Sequence, residues 1–165
     1  MANPIVKYVI SLIDAVIENY RSDKVFAMLK SGFGDLTFDE VADLENYVIK
    51  YKIKGNMWKK AFRRGKEEYG EEGLKRINEI REKALSPVEP LKELFKAQNT
   101  GDFIESFYDY LCNELEFRSR ILEFIAKQEE KNFFSLADET AHIWKSMMDI
   151  LNQMHEIMGD EPFDA

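Results

Sequence analysis

The chain has 165 residues, 45% of them apolar and 13% aromatic, which is enough to bury a core and too apolar for a disordered segment. Its formal net charge of −8 excludes general attraction of polyanions by the whole surface, so any contact with nucleic acid falls to a local patch. One cysteine, Cys112, excludes an intramolecular disulfide and a four-cysteine metal site, and a reducing, cytoplasmic setting is the default.

Taken in order, almost every segment reads as helix. Asn3-Pro4 opens the first, with asparagine as cap and proline at the first helical position. Ile5, Val9, Leu12, Ile13, Val16 and Ile17 then share one face. Lys7 and Asp14 interrupt this run, which is too short and too charged to span a bilayer, and no signal peptide is visible. SDKVFAMLKSG follows, with Ser22 expected as cap and Gly32 as stop. Thr37 with Glu40 three residues later predicts a capping box, and Val41, Leu44, Tyr47, Val48 and Tyr51 a stripe that continues towards Gly55. NMWKKAFRRG has room for a short helical turn. EEYGEEGLKRINEIREKAL predicts a charged helix with Leu74, Ile77, Ile80 and Leu85 inward, weakened early by Gly70 and Gly73. Ser86-Pro87 opens another helix with Leu91, Leu94 and Phe95 buried, and Thr100 is expected as a cap after the QNTGD turn. Two long helical segments close the chain, FIESFYDYLCNELEFRSRILEFIAKQEE and FFSLADETAHIWKSMMDILNQMHEIM, the second stopping at Gly159. No strand pattern and no repeat is found, so the fold class expected is all-α, a single compact domain of six to eight helices.

One stretch opposes the overall sign. From Lys50 to Lys66 lie eight cations and no acid: Lys50, Lys52, Lys54, Lys59, Lys60, Arg63, Arg64 and Lys66. The rest of the chain carries a net −16. Tyr51, Trp58 and Phe62 stand between the charges. Cations beside aromatics are what a site for phosphates and unpaired bases needs. The alternative is that the aromatics are core and the lysines pair with the abundant acids.

Other motifs are weaker. Glu139 and His142 form E-x-x-H, but a di-iron bundle needs this motif twice, and His155 has Asn152 in that place. His155-Glu156 fails the zinc protease pattern because residue 159 is glycine. Ser31-Gly32-Phe33-Gly34 lacks the phosphate-loop spacing and reads as a helix stop. Cys112 reads as a buried, inert thiol, and Met147, Met148, Met154 and Met158 as a core stripe. No nucleophile, base and orienting group assemble, so no catalytic residue and no metal ligand is assigned.

Several phrases resemble a known family. A helix of the NPLV type appears as Asn3-Pro4-Ile5-Val6, and the D-x-V-F-x-x-L-K-T-G element as Asp23 to Gly32 with Ser31 in place of threonine. The L-[ST]-x-[ED]-E-[VI]-x-x-L-E-N-Y-V element runs from Leu36 through Tyr47, followed by Ile53, Gly55 and Trp58; L-x-P-[LV] is Leu85 to Val88. These are similar to the B subunit of AddAB/RexAB-type ATP-dependent helicase–nucleases. The resemblance implies a helical accessory domain over residues 1–160, excised from a larger subunit; the short polar end of the chain, 161–165, is expected to fray. It further implies a role in DNA end resection and double-strand-break repair, with DNA and an A-type helicase–nuclease subunit as partners and no membrane. ATP, magnesium and an iron–sulfur cluster are implied for the parent complex only, because no motif here matches their sites. Within this picture Lys59, Lys60, Arg63 and Arg64 would meet the phosphate backbone. The rival expectations are a free-standing helical module that binds a protein, and a helical enzyme or metal protein.

Overall fold

The computed structural model describes residues 3–164; Met1, Ala2 and Ala165, the ends of the expected domain and tail, lie outside the described residues. The fold is all-α. The helices are α1 (Pro4–Ile17), α2 (Ser22–Leu29), α3 (Phe38–Tyr51), α4 (Lys66–Leu85), α5 (Val88–Leu94), α6 (Thr100–Asp109), α7 (Phe117–Glu130) and α8 (Phe134–Met158). A 3-10 turn (Gly55–Lys59) precedes α4 and a π turn (Tyr110–Glu114) follows α6. The described residues hold no strand, only an isolated antiparallel bridge between Asn99 and Pro162. By its contacts the chain divides into two compact units, Lys7–Pro90 on one hand and Met1–Val6 with Leu91–Ala165 on the other.

In the unit Lys7–Pro90, α3 packs against α2 and α4. Val41, Leu44, Tyr47 and Val48 of the expected stripe are buried, facing Val25, Phe26, Met28 and Leu29 of α2 and Ile77, Ile80, Ala84 and Leu85 of α4. The capping box at Thr37 is complete: the Glu40 N–H donates to Thr37 Oγ1 at 3.2 Å, and the Thr37 N–H donates to Glu40 Oε2 at 2.8 Å. Along α1 the periodicity holds only in part, since Tyr8 and Ala15 are buried and Ile17 is exposed. Gly70 does more than weaken α4: its φ of 67° and ψ of −178° kink the helix, in a region of backbone space essentially restricted to glycine.

The Thr37–Glu40 pair carries a pH prediction. The backbone N–H of Thr37 is the main cause holding the Glu40 carboxyl below its ordinary 4.5, with Lys83 adding to it. The folded pKa lies below the unfolded one. This stabilisation is therefore complete above pH 4.5 and disappears as the pH falls through the folded value. Glu40→Gln should melt earlier than wild type at neutral pH, and the two melting curves should converge in acid. A gap that stays constant into acid would refute this.

In the other unit α8 packs on α6 and α7 around Ile104, Phe107, Tyr110, Leu111, Phe117, Ile121 and Ala137. Asn3 caps α1 as expected, its Oδ1 accepting from the Ile5 N–H at 3.0 Å. Four expectations need correction. Asn99, not Thr100, caps α6: its Oδ1 accepts from the Asp102 N–H at 2.7 Å, while Thr100 Oγ1 donates to Glu161 O at 3.2 Å. The segment from Phe103 to Glu130 is not one helix. The Leu115 N–H reaches Tyr110 O at 2.9 Å in an i to i+5 bond, and Glu116 takes the left-handed conformation at φ 47°, which turns the chain. Residues 161–164, expected to fray, are tied back: Glu161 O accepts from the Thr100 N–H at 2.9 Å, the Phe163 N–H donates to Gln98 O at 3.2 Å, and the Phe163 ring stacks on Phe103 at 4.2 Å. The methionine stripe is not core. Met147 and Met148 are half-buried, Met154 and Met158 exposed, beside an exposed Ile150 and Ile157.

Candidate nucleic-acid interface

The basic stretch is the end of α3, the 3-10 turn and an extended passage into α4. Its aromatics answer the question of why they lie between charges. Trp58 and Phe62 are buried, so neither is a platform for stacking bases, and Tyr51 is half-buried. Phe62 stacks on Tyr47 at 4.8 Å, and Trp58 lies 5.8 Å from Phe26 and 6.1 Å from Phe62. The aromatics are roots that hold the loop, and the cations between them point outward.

Polar bonds complete the anchoring. Ser22 is not a cap, for residue 21 takes that place; its Oγ instead donates to Ile53 O at 2.8 Å and accepts from Trp58 Nε1–H at 3.1 Å. Asn78 on α4 binds the Phe62 backbone twice: Oδ1 accepts from its N–H at 2.7 Å and Nδ2 donates to its carbonyl at 2.9 Å. Arg81, 6% exposed, donates through Nη1 to Trp58 O at 2.8 Å, and its guanidinium lies 5.6 Å from the Phe62 ring centre. Its remaining bonds go to Glu82 at 2.9 Å and Asn78 at 3.3 Å, so this buried charge is paired rather than offered to a ligand. Tyr47 donates its hydroxyl to Arg64 O at 2.9 Å, and burial is the first cause raising its pKa.

The eight cations then separate by environment. Lys50 pairs with Glu68, and Lys66 with Glu71 at 2.6 Å. Lys59 lies 4.7 Å over the Tyr20 ring, beside Arg81, Glu82 and Glu89, away from its sequence neighbour Lys60. Arg64 donates through Nη1 to Tyr51 O at 3.3 Å. Lys52, Lys54, Lys60 and Arg63 are exposed, and their side chains form no ion pair or hydrogen bond with any described residue. Lys60, Arg63 and Arg64 share the lining of one cavity of about 520 Å³ with Tyr47, Ile53, Met57, Ala61 and Phe62. The structure thus brings Lys60, Arg63 and Arg64 together and leaves Lys59 apart. Sequence reasoning named the cations but missed Ser22, Asn78 and Arg81, whose partners lie 16 to 36 positions away.

Gly65 directly follows Arg63 and Arg64 and leads into α4 in the left-handed conformation. Its φ is 82°, and a Cβ there would lie 2.2 Å from the Tyr51 hydroxyl oxygen. Gly65→Ala should therefore cost roughly 1–3 kcal/mol through strain and displacement of Tyr51. In denaturant titrations Tyr51→Ala should recover part of that loss in the double variant, and strict additivity would rule the clash out.

The remaining motifs take other positions. Glu139 and His142 are exposed on α8; His155 Nε2 lies 3.0 Å from Glu105 Oε1. Among the described residues no three His, Cys, Asp or Glu side chains converge as metal ligands. Cys112 is half-buried rather than buried, and burial is the first cause pushing its thiol pKa up, which keeps it protonated. No described helix is long and apolar enough to cross a membrane.

Fold and site together define an all-α chain that holds an anchored cationic loop beside an apolar-floored cleft. No family model matches it. Over nearly its whole length it resembles a region of proteins named as the B subunit of an ATP-dependent helicase/deoxyribonuclease. It is 33% identical to the one from Alkaliphilus oremlandii over 98% of this chain, 31% to that of Alkaliphilus metalliredigens over 98%, and 33% to that of Caldanaerobacter subterraneus over 96%. The chain spans only 14–15% of the length of these curated relatives.

Proposed function

We propose that this chain is a non-catalytic helical part of the B subunit of an ATP-dependent helicase/deoxyribonuclease, serving DNA end resection and recombinational break repair. Its task there is to guide the DNA path by holding phosphates on the unpaired Lys52, Lys54, Lys60 and Arg63, with Arg64, bonded to Tyr51 O, beside them. The observation that carries this is the set of exposed, unpaired cations fixed on an anchored loop of an otherwise acidic chain. Unpaired cations have no internal partner to give up, so their counterions are released directly when phosphates bind. The similarity to proteins named for acting on DNA supports the choice of polyanion. ATP, magnesium and an iron–sulfur cluster belong, in this reading, to other parts of a longer cytoplasmic protein that works with an A-type partner. Fluorescence anisotropy with labelled DNA at low salt tests the phosphate contact, since absence of salt-sensitive binding would remove it.

A second reading, a protein-binding module, has its own observation. Ile150, Met154, Ile157 and Met158 are exposed on α8, Ile157 at 79%. Self-association in sedimentation that is abolished by Ile157→Asp would favour it.

A further inference from the structure

We infer that the cleft beneath Lys60, Arg63 and Arg64 takes one unstacked nucleobase, so that this interface selects single-stranded over duplex DNA. The inference rests on the phosphate reading above and adds to it a contact that no paired base can make. Phosphates need only charge, and a flat cationic surface would serve them. Here Lys60, Arg63 and Arg64 line a cavity of about 520 Å³ whose other walls are Tyr47, Ile53, Met57 and Phe62. That volume lies within the range of about 300–1,000 Å³ typical of small-ligand sites.

The cleft is rigid. Asn78 fixes both backbone groups of Phe62, Tyr47 holds Arg64 O, and Ser22 holds Ile53 O. It therefore exists before any ligand arrives and costs little ordering on binding. Its accessible apolar surface comes from Ala61, exposed, and Met57, half-buried, while Tyr47, Ile53 and Phe62 are buried behind them.

The accessible apolar surface of Met57 and Ala61 beside three cations complements a flat aromatic group carrying an adjacent negative charge, which describes one nucleotide of a single strand. In a duplex both faces of each base are stacked and only phosphates and groove edges are presented. Such a ligand reaches the rim and leaves the floor empty. An acidic protein segment would use the rim in the same way, since carboxylates have no flat apolar group beside the charge.

The test uses the whole chain and three labelled probes: a short oligodeoxythymidylate, the same backbone with abasic residues, and a duplex of equal length. The base-bearing strand should bind on the order of tenfold tighter than the abasic one, with equal salt slopes. Met57→Ala should abolish that difference while leaving the salt slope and the melting curve unchanged. As a second readout, 2-aminopurine in the strand should change its emission on binding wild type and not the variant. Equal affinity for base-bearing and abasic strands would overturn the cleft inference and leave the phosphate reading standing. No salt-dependent binding of any probe would overturn both, as would polyglutamate binding as tightly as DNA.

Discussion

Trp58→Ala is expected to be the most destabilising single change in the unit Lys7–Pro90, by about 3–5 kcal/mol. Trp58 is fully buried and among the largest side chains of the core, between Phe26 and Phe62. Truncation leaves a cavity that the neighbouring rings cannot fill without breaking their own contacts. It also removes the indole N–H from Ser22 Oγ, although that hydroxyl keeps Ile53 O as acceptor. Domains of this kind are stable by only about 5–15 kcal/mol, so the loss is a large share of the total. Chemical denaturation followed by circular dichroism measures it. The same variant should lose DNA binding at temperatures where it remains helical, because the cationic loop loses its root. A change below about 1 kcal/mol would show that Trp58 does not anchor the loop as described.

Neutralising the four unpaired cations, Lys52, Lys54, Lys60 and Arg63, to glutamine should abolish most DNA affinity without altering stability. If each meets one phosphate, the slope of log affinity on log salt flattens by about 3 to 4, which corresponds to roughly 50- to 150-fold between 50 and 200 mM salt. Stability should move by no more than about 0.5 kcal/mol, because no described residue loses a partner. The informative control replaces Lys50 and Lys66, equally cationic and close in sequence but already paired with Glu68 and Glu71. That pair should change the slope far less. An effect half as large from the two paired lysines as from the four unpaired cations, the same per charge removed, would mean that only total charge matters and that the structural sorting of these lysines is irrelevant.

Local rules carried the reading where partners lie within one helical turn. The Thr37–Glu40 box and the Asn3 cap obey spacings of two or three residues, and both form as expected. The same rule misfired at Thr100, where an adjacent Asn99 competes for the cap and the threonine instead bonds Glu161, 61 positions away. The break after Asp109 had no glycine or proline to announce it; it is a π turn closed by the Leu115 N–H and followed by a left-handed glutamate. The methionines of α8 follow a helical period, yet periodicity reports that one face is apolar and not that anything covers it.

The order of residues by itself determined an all-helical chain, most of its inner faces, and a cationic stretch set in an acidic background, because propensity, capping and charge are properties of neighbours along the chain. Only the tertiary structure decided which cations are free, that Trp58 and Phe62 are roots rather than stacking surfaces, and that Lys60, Arg63 and Arg64 edge one cleft while Lys59 faces Tyr20. Those outcomes depend on Ser22, Asn78, Arg81 and the acids of α4 arriving from distant positions, and packing, not local spacing, brings them together.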